Sequence, residues 1–281
     1  MSIRLRALVA SLALTGIPLA SGCAPGQPDD VMIGGAHDVA RATSGVRWET
    51  DQTIRLATSG VVSVDIDSFA GSVLVKANPN LSETMVTVER ASRHGFPRYS
   101  QAGAALDLID YTVSLDRGAS GEEIVKVRAD SRGTETVLGR ANVTVETPEL
   151  GAVTIRTARG DVQVIEHRGE IDIVNSHGSV SVATPWPARD SVRILNRSGD
   201  VEYRIRGEST GAFDLETDGG TVTTRCRYGR WSGADPENRS NRTKAVLNGG
   251  ENPVTIRTSD GDIEIAVIPD PVGGVFYTHG R

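Results

Sequence analysis

The second half of the chain contains an internal repeat, and this repeat limits the possible folds more than any other feature of the sequence. Each unit places apolar residues at its first, third and tenth positions, Asn or Thr at its fifth and Gly at its eighth. The glycines of the five units are 18, 21, 21 and 41 residues apart, and the polar segment Arg230–Arg242 indicates an inserted loop in the last gap. The units run Val153–Val162, Ile171–Val180, Val192–Val201, Phe213–Val222 and Val254–Ile263.

Alternation of apolar and polar residues is typical of β-strands, and one strand–turn–strand unit is only marginally stable by itself. If successive units stack, each set of Val and Ile side chains is covered by the next unit. The repeat therefore predicts an all-β, right-handed parallel β-solenoid whose coils contain about 20 residues. In such a stack Asn175 and Asn196 lie in neighbouring coils, where their side chains are able to hydrogen-bond to each other as a short ladder.

An antiparallel β meander is the alternative fold. If Thr157 pairs with Gly160 across a hairpin, Ile155 faces Val162, so the apolar pattern is also compatible with this register. Turn pairs such as Ser176-His177, however, lack the Asn-Gly or Asp-Gly sequences that tight hairpins favour. The solenoid is therefore the favoured prediction.

The N-terminal half predicts further strands and one short helix. Apolar and polar residues alternate from Thr53 to Arg90, and strands are expected around Tyr111–Leu115 and Ile124–Ala129. The Ala- and Leu-rich segment Tyr99–Asp110 favours a helix, which its internal glycine weakens.

The N-terminus has the three parts of a secretory signal peptide. Arg4 and Arg6 supply positive charge, the apolar run Ala7–Ala20 follows, and small residues precede Cys23. The apolar run has 14 residues, which is fewer than the about 20 that a membrane-spanning helix needs. We expect a signal peptide over residues 1–22, a flexible tether over 23–45 and a β-strand-repeat domain over 46–281, with the repeats clearest over 141–267.

Residues Leu19–Cys23 resemble the lipobox of bacterial lipoproteins, which is cleaved immediately before its cysteine. The resemblance implies that the Cys23 thiol receives a diacylglycerol, which anchors the mature protein to a membrane. An ordinary signal peptide with a cysteine near its end is the alternative. Residue Ala24 is not the aspartate that marks inner-membrane retention in enterobacteria. The expected location is therefore the cell envelope, and the outer membrane if the organism has one.

The sequence resembles the bacterial putative-adhesin family, a β-strand-repeat domain of exported and surface proteins. The resemblance extends from about Val62 to Val267 and implies a β-strand-repeat fold and a surface setting. The family has no catalytic residue set attached to it. The passages that carry the resemblance are Val143–Pro148, the repeat units from Val153 to Tyr203, Ala245–Gly250 and Ile256–Ile263.

Charge argues against nucleic acid as a partner. The formal net charge of the whole chain is −6, and it becomes −8 once Arg4 and Arg6 leave with the signal peptide. Affinity for nucleic acid comes mainly from neutralisation of phosphates by Lys and Arg. We expect a membrane partner through lipidated Cys23 and an unidentified protein or glycan ligand.

Three aspartates, Asp161, Asp200 and Asp262, follow turn glycines. They could line a cation-binding edge, but Gly-Asp is ordinary turn chemistry and the calcium-binding nonapeptide repeat is absent. We interpret them as structural and expect neither a metal nor a cofactor. For Cys226 we favour a partly buried strand position over a reactive thiol.

Other candidate side chains are histidines and tryptophans. Trp186, between two prolines, and Trp231 are the candidate exposed aromatics, suited to sugar or protein contacts or to packing over an edge. The histidines have no metal-ligand spacing, and His177 is expected to be exposed in a turn. The five histidines are His37, His94, His167, His177 and His279.

The leading hypothesis for function is a non-catalytic surface or periplasmic binding module. The alternative is a glycan-active lyase or hydrolase on a β-helix, which needs carboxylates that converge on one face. Outward positions of the units carry mixed charges, such as Arg156, Asp172 and Arg193. We therefore predict no catalytic residues.

Overall fold

The computed structural model describes residues 46–51, 53–94, 99–133, 138–233 and 240–273. The predicted signal peptide and tether, with Cys23, lie outside the described residues. The elements are β1 Val46–Thr50, β2 Ile54–Leu56, β3 Val62–Ser68, β4 Val73–Ala77, β5 Thr84–Arg93, α1 Tyr99–Leu106, β6 Ile109–Arg117, β7 Glu123–Ser131, β8 Gly139–Thr147, β9 Leu150–Thr157, β10 Val162–Ile165, β11 Ile171–His177, β12 Val180–Ala183, β13 Val192–Ser198, β14 Val201–Ile205, β15 Gly211–Thr217, β16 Val222–Cys226, β17 Trp231–Ser232, β18 Arg242–Leu247, β19 Pro253–Asp260 and β20 Ile263–Val267.

The strands form two sheets, whose central strands are parallel. Sheet 1 has the order β1-β5-β8-β4-β10-β12-β14-β20-β16, and sheet 2 has the order β17-β18-β15-β19-β13-β11-β9-β3-β7-β6. A coil consists of one strand of sheet 2, a glycine turn and one strand of sheet 1. Ile173, for example, pairs in parallel register with Ile155 on one side and Ile194 on the other. The predicted parallel β-solenoid is confirmed, and the antiparallel meander is wrong for the repeat units.

Spatial order departs from chain order near both ends of the solenoid. The coil β3–β4 lies between β7/β8 and β9/β10, and the coil β19–β20 lies between β13/β14 and β15/β16. The expectation that each unit stacks on its predecessor holds from β9 to β14. It is wrong for the unit Phe213–Val222, which packs on the final unit Val254–Ile263 instead. Strand β18 pairs with β15 on the side away from β19. This end of sheet 2 is therefore covered by a strand that comes before the last unit in the chain.

The core is a set of stacked side-chain columns. The column of third repeat positions in sheet 2 is completely buried, and each member lies beside its neighbour in the adjacent coil. Burial of one such side chain stabilises the fold by about 1.5–3 kcal/mol. The column contains Ile66, Ile155, Ile173, Ile194, Ile256 and Leu215.

Antiparallel strands cover most of the parallel edges. In sheet 1, β5 pairs with β8 and carries β1 and β2 on its other side. In sheet 2, β6 covers β7 at one end, and β18 with β17 covers β15 at the other. Terminal caps of this kind prevent further coils from adding to an exposed sheet edge.

Helix α1 begins at Tyr99, as predicted, but it ends at Leu106 and not at Asp110. Ile109 already belongs to β6, where it is buried and pairs with Ser131. The tertiary pairing with β7 therefore ends the helix earlier than its composition indicates. Within the described residues, no helix combines the length and the apolar composition needed to cross a bilayer.

Truncation of a central column residue tests the stacked core. We expect Ile194→Ala to lower the free energy of unfolding by about 2–5 kcal/mol. Truncation of a buried Ile side chain loses the transfer free energy of the removed atoms and leaves a cavity. Urea denaturation measures this loss. Leu195→Ala is the matched control, since Leu195 is only half-buried on the outward face, and it should cost less than about 1 kcal/mol. Similar losses for the two variants would contradict the assigned facing of β13.

Candidate functional site

The turns that join sheet 2 to sheet 1 form one narrow edge, called here the glycine edge. Gly160, Gly178, Gly199 and Gly261 have φ between 124° and 146°, a conformation that side chains disfavour. A Cβ on Gly178 would lie 2.3 Å from the carbonyl oxygen of Gly160, and Gly199 meets Gly178 in the same way. Both the backbone angle and the close approach of the coils therefore require glycine.

A buried polar column lies just inside the glycine edge. Asn175 Nδ2 donates to the carbonyl oxygens of Gly160 and Gly178, each at 3.2 Å. Asn196 Nδ2 donates in the same way to Gly178 and Gly199, at 2.9 and 2.8 Å. The two asparagines are register neighbours, as predicted, but they bond to turn carbonyls and not to each other. Each amide thus links two successive coils.

The three aspartates after turn glycines also link coils. Asp161 Oδ1 accepts a hydrogen bond from the amide of Ser179 at 2.8 Å, and Asp200 Oδ1 accepts from the amide of Asp262 at 2.9 Å. Asp262 Oδ1 in turn accepts from the amide of Thr221 at 2.7 Å. These bonds give the carboxylates the structural role proposed from the sequence. In the part of the chain that the structure describes, no group of three or more His, Cys, Asp or Glu residues is placed to hold a metal ion.

Charged side chains on the outer face of sheet 2 pair across coils. Asp172 accepts from Arg156 at 3.2 Å and from Arg193 at 2.7 Å, and each arginine comes from a neighbouring coil. Asp214 is likewise paired with Arg257 at 3.1 Å and with Lys244 at 3.6 Å. Exposed pairs of this kind contribute about 0–1 kcal/mol each. Arg257 also pairs with Glu216, so the carboxylates of Asp214 and Glu216 share one guanidinium group. Each of these carboxylates is thus paired with cations.

Exposed apolar side chains lie at the opposite edge, where the chain returns from sheet 1 to sheet 2. This return edge contains Val61, Trp186 and Tyr228, which are 46%, 42% and 52% exposed. Arg168, Trp186, Gly207 and Tyr228 are 18, 21 and 21 residues apart, the spacings of the turn glycines. The return edge therefore repeats with the coils and runs along the solenoid.

Trp186 makes several contacts at the return edge. The Arg168 guanidinium lies 3.9 Å from the centroid of its ring, and Arg168 also forms an ion pair with Glu149 at 2.6 Å. The Trp186 amide donates to Thr184 Oγ1, whose hydroxyl donates to the carbonyl of His167 at 2.6 Å. These contacts fix a large, partly exposed aromatic surface beside a cation, which is the composition of binding hot spots.

The second candidate aromatic, Trp231, has a packing role. Its ring is 4.8 Å from that of Phe213 at an interplanar angle of 53°, and its side chain is half-buried over the end of the core. Sequence reasoning could not separate the two tryptophans, because it left ligand contact and packing over an edge open for both. It also missed Arg168, although the spacing of one coil to Trp186 was a usable signal.

His167 is a buried histidine that sequence reasoning did not distinguish from the others. Burial lowers its pKa to about 4, a shift that the hydrogen bond with the Gly169 carbonyl at 3.1 Å opposes. The neutral ring therefore belongs to the core. His177 is exposed, as predicted, at the end of β11. His37 and His279 lie outside the described residues.

Cys226 is the half-buried last residue of β16, in agreement with the structural interpretation. Burial raises the pKa of its thiol, and Sγ donates a hydrogen bond to the Tyr228 carbonyl at 3.0 Å. A raised pKa leaves less of the reactive thiolate at neutral pH.

These features define a parallel β-solenoid with a glycine edge, paired outer charges and an apolar return edge. The sequence from residue 112 to 266, more than half of the chain, matches the Toastrack DUF4097 family model. The protein belongs to this family, and the resemblance to putative adhesins is confirmed.

Solved structures support the same fold. A putative cell adhesion protein from Clostridium sporogenes aligns with 79% of this chain and 100% of its own length, with a TM-score of 0.56 and 10% sequence identity. A putative adhesin from Bacteroides fragilis aligns with 79% of this chain and 97% of its own length at 10% identity, and its TM-score of 0.33 adds nothing to the argument. Among curated proteins, none matches the sequence.

Acidification should destabilise the protein through His167. Its pKa is about 4 in the folded state against an ordinary value of 6.5, so the unfolded chain takes up the proton first as the pH falls. Neutral His167 makes its full contribution to the free energy of unfolding above pH 6.5. Roughly 3 kcal/mol of this free energy is lost as the pH falls to about 4. Urea denaturation at several pH values should show this loss in the native protein and not in His167→Gln. His177→Gln is the control and should keep the native pH dependence; an unchanged profile in His167→Gln would refute the assignment.

Proposed function

We propose that the protein is an exported, lipid-anchored and non-catalytic module that binds a protein or glycan ligand at the cell envelope through its return edge. The observation that carries the proposal is the position of Trp186, which is 42% exposed and whose ring lies against the Arg168 guanidinium. Membership of the Toastrack DUF4097 family and the cell-adhesion description of the Clostridium sporogenes protein support it. The anchor is inferred from the Arg4, Arg6, apolar-run and Cys23 order.

A binding role suits the architecture of the solenoid. Stacked coils give a rigid scaffold whose edges repeat every coil, and repeat proteins commonly bind ligands along such extended surfaces. The return edge presents Val61, Trp186 and Tyr228 at intervals along the scaffold. An aromatic held in one position loses little conformational freedom on binding, so more of its contact energy contributes to affinity.

The alternative, a glycan-active enzyme, receives less support. Such an enzyme needs two carboxylates, or a base and a charge stabiliser, that converge on one groove. Two acidic residues of the outer face, Asp172 and Asp214, are each paired with two cations, and Glu216 shares Arg257 with Asp214. Reproducible turnover that one Asp or Glu substitution abolishes, with the fold intact, would establish the enzyme and overturn the proposal.

Lipidation is tested on the mature protein isolated from its membrane. Mass spectrometry should find Cys23 at the N-terminus with a diacylglyceryl thioether, because the lipobox-like sequence ends there. Cys23→Ser should remain unprocessed and lack the thioether. A mature protein that begins at any other residue would show that the anchor is absent.

The return edge is tested by binding of the purified full-length protein to a glycan array and to isolated envelope proteins. Trp186→Ala should weaken binding by about thirtyfold, equivalent to the roughly 2 kcal/mol of a hot-spot residue. Its free energy of unfolding should change by less than about 1 kcal/mol, since the ring is partly exposed. Trp231→Ala is the contrasting variant and should instead lower stability. Equal ligand binding by the native protein and Trp186→Ala would remove Trp186 from the site.

A further inference from the structure

The glycine edge contains a cleft close to the N-terminal end of the solenoid. The cleft has a volume of about 250 Å³. It lies at the edge of the coils opposite to the return edge. It lies between the turn Ala70–Ser72 and the segment Leu138–Arg140, with Arg93 and Arg159 on its walls. No Asp or Glu is among the described residues that line it.

Three arginines reach this cleft from three different parts of the chain. Arg93 ends β5, Arg140 lies in β8 and Arg159 precedes the turn glycine of the coil β9–β10. The backbone holds them together: the amide of Arg93 donates to the Leu138 carbonyl at 2.9 Å, and the Arg159 carbonyl accepts from the Gly71 amide at 2.6 Å. Hydrogen bonds of the sheet and the turn therefore fix the backbone of Arg93 and of Arg159 beside the cleft.

Arg140 is half-buried close to one carboxylate and one other cation. Burial lowers the pKa of Arg140, the carboxylate of Glu89 opposes the shift, and the charge of Arg93 adds to it. Arginine remains charged in spite of such a shift. Arg93 and Arg140 repel each other, and an anion bound between them would reduce that repulsion.

Two of the residues that line the cleft, Gly71 and Gly160, have no side chains. The charged residues among the described residues that line it are all arginines, so an oxyanion bound there would accept from guanidinium groups. Arginine suits this task because its planar fork presents several N–H donors to phosphate oxygens.

We propose that the Arg93–Arg140–Arg159 cleft binds a phosphate group. Three guanidinium groups carry more positive charge than one carboxylate neutralises and more N–H donors than its two oxygens accept from. A phosphate dianion has more negative charge and more acceptor oxygens. The volume accommodates a phosphate with part of the group that carries it. The phosphate can belong to a soluble phosphomonoester or to a phospholipid headgroup. This site is independent of the anchor and of the return edge, so its test does not depend on the proposed function.

Isothermal titration calorimetry of the purified full-length protein in detergent tests the cleft with inorganic phosphate. Arg140→Gln should weaken phosphate binding at least tenfold, and Arg93→Gln, which alters an exposed side chain, should weaken it in the same direction without a change in folding. Arg197→Gln removes the same charge from the same edge two coils away and should change the dissociation constant less than twofold. Thermal unfolding verifies that each variant is folded.

Two further titrations separate the sources of the phosphate. Glycerol 1-phosphate represents a soluble monoester, and dihexanoyl phosphatidylglycerol represents a phospholipid headgroup. Binding of either one that is lost in Arg93→Gln supports the cleft and names the source. The proposal is overturned if inorganic phosphate does not bind, or if Arg197→Gln weakens binding as much as Arg93→Gln does.

Discussion

The close approach of successive coils at the glycine edge is the constraint on which the rest of the structure depends. Each turn glycine occupies the space directly over the carbonyl of the coil before it, so that a Cβ would lie 2.1–2.3 Å from that oxygen. Ala141 occupies the equivalent position in the terminal coil, whose outer neighbour is the antiparallel strand β5. A side chain is tolerated there because no further parallel coil stacks on it. Ala141 therefore supports the explanation that the close approach of parallel coils requires glycine.

Close stacking creates a second requirement, which the buried polar column meets. Tight turns place backbone carbonyls in the interior, where an unpaired polar group is costly. Asn175 and Asn196 each donate to two of these carbonyls, and Thr217 and Thr258 donate to Gly261 and Gly199. The same bonds connect neighbouring coils. Rigidity along the solenoid thus comes from the polar column as well as from the Val and Ile core.

A scaffold of this kind leaves function to its surfaces. The outer face of sheet 2 neutralises its own charges, whereas the two edges differ in chemistry. The return edge presents Trp186 beside Arg168, and the glycine edge holds the cleft of Arg93, Arg140 and Arg159. Because the return edge and the cleft lie on opposite edges of the coils, occupation of one would leave the other uncovered.

The strands, the turn glycines and the preference for parallel stacking could be predicted from the sequence, because they follow from a local period of apolar, polar and glycine positions. The sequence also placed Asn175 beside Asn196, since the two are one repeat apart. Arg168 and Trp186 are likewise one repeat apart, but their contact was found only in the structure. Other features became visible only in the folded chain. The coil β19–β20 lies between β13–β14 and β15–β16, His167 is buried, and Arg93 and Arg159 line one cleft. The stacking order could not be read from the repeat, because similar units offer similar edges to one another. Non-local capping by antiparallel strands such as β5 and β18 then selects one order among stacks that local pattern cannot distinguish.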